Sequence, residues 1–307
     1  MEMRPVPAEP VVEARHVSKC FGNVRVLDDV NFAIHRGEMV GLIGASGSGK
    51  STLIRAIAGL TPIDRRGGSS EANEILLFAK PIQQRGRVAR SANALRARVG
   101  VVFQQFNLVP RLSVLTNVCL GLLGQLPLLR ATLGRFTQRD KQRAMRALAR
   151  VGIAEHALKR GCDLSGGQQQ RAAIARTLTQ GAEFIVADEP IASLDPASAR
   201  RVTDILADLN RTDQITVLVS LHQVEYALRY CPRTIALKNG RVAYDGPSAA
   251  LTPELLTALY GAESEELFAA LHPAMPQPLH DAVRPDGLVL PFDAARRTGE
   301  RRHQAHA

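Results

Sequence analysis

The chain has 307 residues, 45% hydrophobic and 22% charged, a balance that excludes a disordered polymer; with aromatics at 4% and no Trp, aliphatic side chains must build the core. Its longest apolar stretch, residues 118–129, is broken by Gly121, Gly124, Gln125 and Pro127 and falls short of the about 20 residues that cross a membrane. The net charge of +10 is concentrated in residues 80–150, which hold fourteen Lys or Arg and one acid, Asp140. A basic surface near phospholipid headgroups or phosphate ligands and an ordinary solvated helical face both fit that stretch, and no interleaved aromatics point to stacked bases. The first residues lack the basic start and apolar centre of a signal peptide, so a cytoplasmic location is expected. Cys20, Cys119, Cys162 and Cys231 form no CxxC pair, which favours reduced thiols over a zinc site or disulfides.

Apolar and polar residues alternate over 11–17 and 30–34, which predicts antiparallel strands and a small leading sheet. Residues 39–43 read as a buried strand and 50–58 as a helix stopped by Gly59. Between them, Gly44-Ala45-Ser46-Gly47-Ser48-Gly49-Lys50-Ser51-Thr52 satisfies GxxxxGK[ST] in the strand-loop-helix context the motif requires. Glycines let the backbone turn so that its N–H groups face phosphate oxygens, Lys50 neutralises β- and γ-phosphates, and Ser51 ligates magnesium. A chance match in a chain this long is on the order of one in a hundred, so an ordinary glycine loop is a poor alternative. Further short strands at 75–78, 99–103, 184–187, 215–220 and 234–238, several separated by helical segments, predict an α/β fold with a largely parallel core sheet. No convincing strand falls within 113–179, where a helix over 137–151 is capped by Thr137 with Asp140 and stopped by Gly152, so a helical subdomain is expected. Asn239-Gly240 signals a tight hairpin. Residues 262–307 turn acidic, then Pro-rich, then Arg- and His-rich without periodicity, and are expected to be a largely disordered tail behind a single nucleotide-binding unit at 11–261.

The apolar run of residues 184–187 delivers Asp188 and Glu189 at a strand's C-terminal end, where open α/β sheets bind ligands. Asp188 is placed to hold magnesium through water and Glu189 to polarise the attacking water. A solvent-satisfied acidic pair is the plain alternative, disfavoured by the phosphate loop. Leu164-Ser165-Gly166-Gly167-Gln168-Gln169-Gln170-Arg171 adds a second phosphate-binding helix start, with Ser165 as N-cap and two glycines exposing backbone N–H groups.

With that run the sequence resembles the ATP-binding-cassette family, whose LSGGQ signature it matches without departure. The resemblance implies a P-loop NTPase cassette with a mainly parallel core sheet, an antiparallel β-subdomain and a helical subdomain at about 113–179. It implies ATP and Mg²⁺ as cofactors and a head-to-tail homodimer in which Ser165, Gly166, Gly167 and Gln168 reach the γ-phosphate held by the opposite subunit. Phe21 then lies where an aromatic stacks on adenine and Gln104 where the family senses magnesium and assists catalysis. Asp195 falls in the loop that lines the nucleotide, and His222 joins Glu189 as a catalytic residue.

The runs Phe103-Gln104-Gln105-Phe106-Asn107-Leu108-Val109, Ala187-Asp188-Glu189-Pro190-Ile191-Ala192-Ser193-Leu194-Asp195-Pro196 and Leu221-His222-Gln223-Val224-Glu225-Tyr226-Ala227, together with the Arg-rich insertion at 83–98, look like the ATP-binding subunits of phosphonate importers over about residues 11–260. That likeness implies transmembrane permease subunits, an extracytoplasmic phosphonate-binding protein, a peripheral position on the cytoplasmic face of the inner membrane, and no nucleic acid. The competing readings are an importer of another small solute, such as phosphite, a phosphate ester or a polar amino acid, and a non-transport cassette acting on nucleic acid. A chromosome-organising relative would carry sustained heptads, a translation factor two cassettes, and a sugar-type importer subunit a regulatory β-domain after the cassette; the sequence has none of these.

Overall fold

The computed structural model describes residues 10–65 and 73–261; the tail expected from residue 262 lies outside the described residues. β1 (Pro10–Phe21) and β2 (Val24–His35) pair antiparallel, with Val12 opposite Ile34 and Val17 opposite Val30, so the alternating apolar residues share one buried face. β3 (Met39–Ile43) leads through a glycine loop to α1 (Lys50–Ile57). β4 (Glu74–Leu77), β5 (Lys80–Gln84) and β6 (Arg87–Val88) complete an antiparallel sheet of order β2-β1-β4-β5-β6.

α2 (Ala92–Arg96) and β7 (Val99–Val102) then lead to a helical stretch. It contains α3 (Val114–Cys119), a 3-10 helix (Leu120–Gln125), α4 (Leu128–Thr132), α5 (Gln138–Arg150) and α6 (Gly166–Gln180). β8 (Phe184–Asp188), α7 (Pro196–Asp213), β9 (Thr216–Ser220), α8 (Val224–Tyr230), β10 (Arg233–Lys238), β11 (Arg241–Pro247) and α9 (Pro253–Tyr260) follow.

The second sheet has the order β11-β10-β3-β9-β8-β7, parallel from β10 to β7. β11 alone runs antiparallel, joined to β10 by a hairpin whose Asn239 and Gly240 take φ of +50° and +75°, the left-handed pair that a two-residue turn of the right twist requires. β3, β8 and β9 are buried along their whole length because both faces of the sheet are covered. Met39, Ile43, Ile185, Ala187, Val217 and Val219 point into a core shared with Ala172 and Ile174 of α6 and Val202 and Leu206 of α7. Val40, Leu42, Phe184, Val186 and Leu218 point the other way, into a core shared with Leu53 and Ile54 of α1 and Val12 and Ile34 of the antiparallel sheet. Polar side chains are thereby confined to the strands' ends, which is where Asp188 and Ser220 lie.

α5 begins with the expected capping box, Thr137 Oγ1 accepting from the Asp140 amide and Asp140 accepting from the Thr137 amide, and the chain leaves it through Gly152 at φ +68°. The structure adds β5, β6 and α2 to the Arg-rich insertion, where polar composition conceals periodicity. Gln83 anchors that insertion: its buried amide donates to the carbonyls of Ala56 and Thr61 at 2.5 and 2.9 Å and accepts from the Ile63 amide at 2.9 Å. The basic stretch is not one free surface. Arg98 forks onto Glu183 at 2.6 and 3.0 Å, Arg130 meets Asp140 at 2.6 Å and Arg150 meets Asp208 at 2.5 Å. Among the described residues no helix is long and apolar enough to cross a membrane.

Phe184, fully buried, is the largest side chain facing α1 from the central sheet. Phe184→Ala is expected to lower stability by about 3–5 kcal/mol, read as a fall in the urea midpoint with unchanged slope.

Candidate functional site

The loop between β3 and α1 is built on glycines where no other residue fits. Gly44 has φ +146°, and a Cβ there would run into the Leu237 carbonyl; Gly49, the N-cap of α1, has φ +104° and would bring a Cβ within 2.8 Å of the Val26 carbonyl oxygen. Lys50 is buried and its ammonium donates to the carbonyls of Gly44 and Ala45 at 2.7 and 3.2 Å, so it lies folded over the loop's own concavity. Ser48 Oγ is buried with no hydrogen-bond partner among the described residues, an orphan hydroxyl in a loop suited to anionic oxygens. The Gly44 amide donates to the hydroxyl of Tyr260 at 3.1 Å, tying the loop to the last residue of α9.

β8 and β9 place Asp188 directly beside Ser220. Ser220 Oγ donates to Asp188 Oδ1 at 3.0 Å and accepts from the Glu189 amide at 2.8 Å, while Ser51 Oγ donates to the same Asp188 oxygen at 3.0 Å. Asp188 is thus a buried carboxylate, 6% exposed, held between two hydroxyls. Glu189 takes φ +47°, a left-handed conformation that costs a non-glycine residue about 1–2 kcal/mol. Its amide bond to Ser220 holds the turn there. Glu189 and His222 share a cleft of 300 Å³ with Val26, Ser46, Gly47, Ser48, Gly49, Lys50, Ser51 and Thr52. Hydroxyl and carboxylate oxygens side by side form a hard donor set that suits Mg²⁺, and the loop's concavity suits the phosphates that such an ion accompanies. The residues present therefore fit a magnesium nucleotide.

The other sequence-derived residues, Gly44, Ala45, Asp188, Phe21, Gln104, Ser165, Gly166, Gly167, Gln168 and Asp195, are not among those lining the cleft, although Gly44, Ala45 and Asp188 bond to residues that are. Ser165 caps α6, accepting from the Gln168 amide at 3.4 Å while Gln168 Oε1 accepts from the Ser165 amide at 3.0 Å. The two glycines sit under close neighbours, since a Cβ on Gly167 would lie 2.6 Å from Ser198 Oγ and one on Gly166 3.3 Å from Leu194. Asp195 caps α7 through the amides of Ala197 and Ser198 at 3.0 and 2.9 Å, and the Ser198 hydrogen bonds hold its carboxyl below the usual carboxylate range. Phe21 ends β1 with its ring 53% exposed and the Lys19 ammonium 5.2 Å from the ring centroid. Gln104 is exposed just after β7, and the carbonyl before it, Phe103, accepts from the buried Gln170 amide at 3.4 Å. Sequence reasoning missed Ser220, Tyr260 and Gln170. Only Ser220 left a signal, as a polar residue closing an apolar strand.

A family model described as "ABC transporter" matches residues 27–192. The chain belongs to the ABC transporter family. Curated relatives of this cassette include the phosphonates import ATP-binding protein PhnC of Paraburkholderia xenovorans, 56% identical over 83% of this chain and 84% of that protein. The PhnC of Stutzerimonas stutzeri is 57% identical over 82% of this chain and 90% of that one. Among solved structures, the dimeric bacterial ABC transporter cassette MJ0796 superposes with a TM-score of 0.66 at 32% identity, covering 78% of this chain and all of that one. The same cassette bound to ADP and Pi in a post-hydrolysis dimer gives 0.64. The cassette architecture read from the sequence, with its parallel core sheet, antiparallel sheet and helical unit, is therefore the ABC fold.

Ser220→Ala in this ABC cassette leaves the Glu189 amide unpaired and removes one donor from Asp188. It is expected to cost about 1–3 kcal/mol in urea unfolding and to lower ATP turnover about tenfold, whereas Ser220→Thr, which keeps the hydroxyl, retains most of both.

Proposed function

We propose that this chain is the ATP-binding and ATP-hydrolysing subunit of an importer that takes up phosphonates through a separate membrane permease. The observation that carries the ATPase reading is the convergence of Lys50, Ser51, Glu189 and His222 on one cleft, with Asp188 held behind Ser51 by the hydroxyls of Ser51 and Ser220. The cargo reading rests on the phosphonate-import relatives and their coverage of this chain.

In this reading Ser51 and Asp188 hold Mg²⁺, which supplies positive charge against the β- and γ-phosphates when bound. Lys50 turns from the Gly44 and Ala45 carbonyls onto the same phosphates. Glu189, aimed into the cleft by its left-handed backbone, accepts a proton from the attacking water, and His222 on the same wall contacts the γ-phosphate. Phe21 stacks on adenine, and Gln104 reports the occupied site to the helical unit. Ser165, Gly166, Gly167 and Gln168 do not line the cleft of their own chain; the Ser165 hydroxyl and the Gly166 and Gly167 amides, held by the Ser165–Gln168 capping box, complete the site of a second copy, as the dimeric state of the related cassette suggests. Asp195 packs beside them in that interface. Binding ATP then closes the dimer, and loss of the γ-phosphate opens it.

The permease has a receiving surface in a cleft of 730 Å³ lined by Asn93, Ala94, Leu120, Gly121, Gln125 and Arg176, between α2, the 3-10 helix and α6. α6 starts at the signature and, through Gln170, holds the backbone at Phe103 beside Gln104, so closure at the nucleotide moves this cleft. An extracytoplasmic binding protein selects the solute, and this chain sits on the cytoplasmic face of the membrane.

The test is uptake of a panel of alkylphosphonates, phosphite and polar amino acids by vesicles reconstituted with this chain, its permease and its binding protein. Phosphonate uptake with wild type is expected, and Glu189→Gln should lower both uptake and ATP turnover by about two orders of magnitude. Uptake of a different solute would keep the motor and discard the cargo, while unchanged turnover in Glu189→Gln would discard the site.

A further inference from the structure

The Gln168 side chain has two neighbours, and together they fix a protonation state. Its Oε1 accepts from the Ser165 amide at 3.0 Å, closing the capping box at the start of α6, and its Nε2 lies 2.9 Å from Nε2 of His156. A backbone N–H can only donate, so the oxygen end of the amide must face Ser165 and the NH₂ end must face His156. The NH₂ also only donates. His156 must therefore offer a lone pair at Nε2, which it does as the neutral ring with its proton on Nδ1 and cannot do once both nitrogens carry protons.

We propose that His156 is a positioning residue for ATP hydrolysis: its neutral ring holds the Gln168 amide, and through it the Ser165–Gly167 turn, in the shape that meets nucleotide, and protonation of the ring releases that turn. This rests on the reading that the signature turn completes the site of a second copy. His156 ends a 3-10 turn (Ala154–His156) with its side chain only 17% exposed, so the contact is enclosed.

The charged neighbours favour such a release. Glu155, on the same turn, places Oε1 3.5 Å from the same His156 nitrogen, where it can accept from that nitrogen as soon as a proton sits there and the Gln168 NH₂ no longer has a lone pair to meet. Arg171 of α6 feels Glu155 but spends its guanidinium on the Gly152 carbonyl at 2.8 Å. Lys159 touches His156 through its backbone amide, and Asp163, just before the signature, accepts from the Arg160 amide at 3.3 Å. α5, which packs on this turn, directs Arg150 to Asp208 and Asp213. Glu155 is thus the one carboxylate within reach of the ring among the described residues.

The experiment measures kcat and KM for ATP of the reconstituted transporter from about pH 5.5 to 8.5, the range in which imidazoles change charge. It compares wild type with His156→Gln and His156→Phe. His156→Gln places an amide oxygen near the position of Nε2, an acceptor that does not titrate. It is expected to keep neutral-pH kcat within about twofold of wild type and to flatten the acid limb, so that activity lost by wild type toward pH 5.5 is retained about threefold or better. His156→Phe removes the acceptor and should lower kcat about three- to tenfold at neutral pH with little pH dependence of the deficit. Identical pH profiles for wild type and His156→Gln, or full kcat in a folded His156→Phe, would overturn the assignment. Glu189→Gln in the same preparation separates the two readings: its loss of turnover keeps the ATPase site in place when the His156 prediction fails.

Discussion

A single buried oxygen, Oδ1 of Asp188, receives hydroxyl protons from both Ser51 and Ser220, and the geometry of the cleft depends on that shared acceptor. Ser51 lies in the first turn of α1, Asp188 ends β8 and Ser220 ends β9, so three elements from separate parts of the chain are fastened at one point. Two hydroxyl donors take the place of the water that the buried carboxylate has lost. Ser220 then passes the constraint on through the Glu189 amide, which lets a residue with an unfavourable backbone angle stand at the edge of the cleft. The apolar faces of the sheet leave nothing polar in the middle of β8 and β9, and the chemistry gathers at their ends for that reason.

The helical unit serves a different surface. Its longest helix, α6, starts at the signature turn and runs beneath the cleft assigned to the permease, and its buried Gln170 reaches back to the Phe103 carbonyl. One helix thus links the signature turn, the backbone before Gln104 and Arg176 at the cleft. Gly166 packs close to Leu194 and Phe106, and Gly167 close to Ser198, so the signature turn sits against the start of α7 with no room for a side chain at Gly167.

The sequence was most legible where chemistry is contiguous. The phosphate loop, the Asp188-Glu189 pair at the end of an apolar strand, the Thr137 and Ser165 caps and the Asn239-Gly240 turn are all written in runs of a few residues, and the backbone follows them. β5, β6 and α2 were not legible because their composition is polar and their anchor is one buried amide, Gln83, whose partners Ala56 and Thr61 lie in a different element and the loop after it. Ser220 shows in the sequence only as the end of a strand, since its role as a strap comes from the register between β8 and β9. Tyr260 was invisible for a related reason: it is 216 positions from its partner, Gly44.

That last contact ties α9 to the phosphate loop. The match to the family model stops at residue 192, yet the buried first amide of the phosphate loop has its acceptor on Tyr260. A chain cut anywhere before that tyrosine would strand a backbone donor at the mouth of the nucleotide cleft. The hydrogen-bond inventory of the first loop thus includes α9, and a truncation or fusion point placed at the end of the family-model match would remove it.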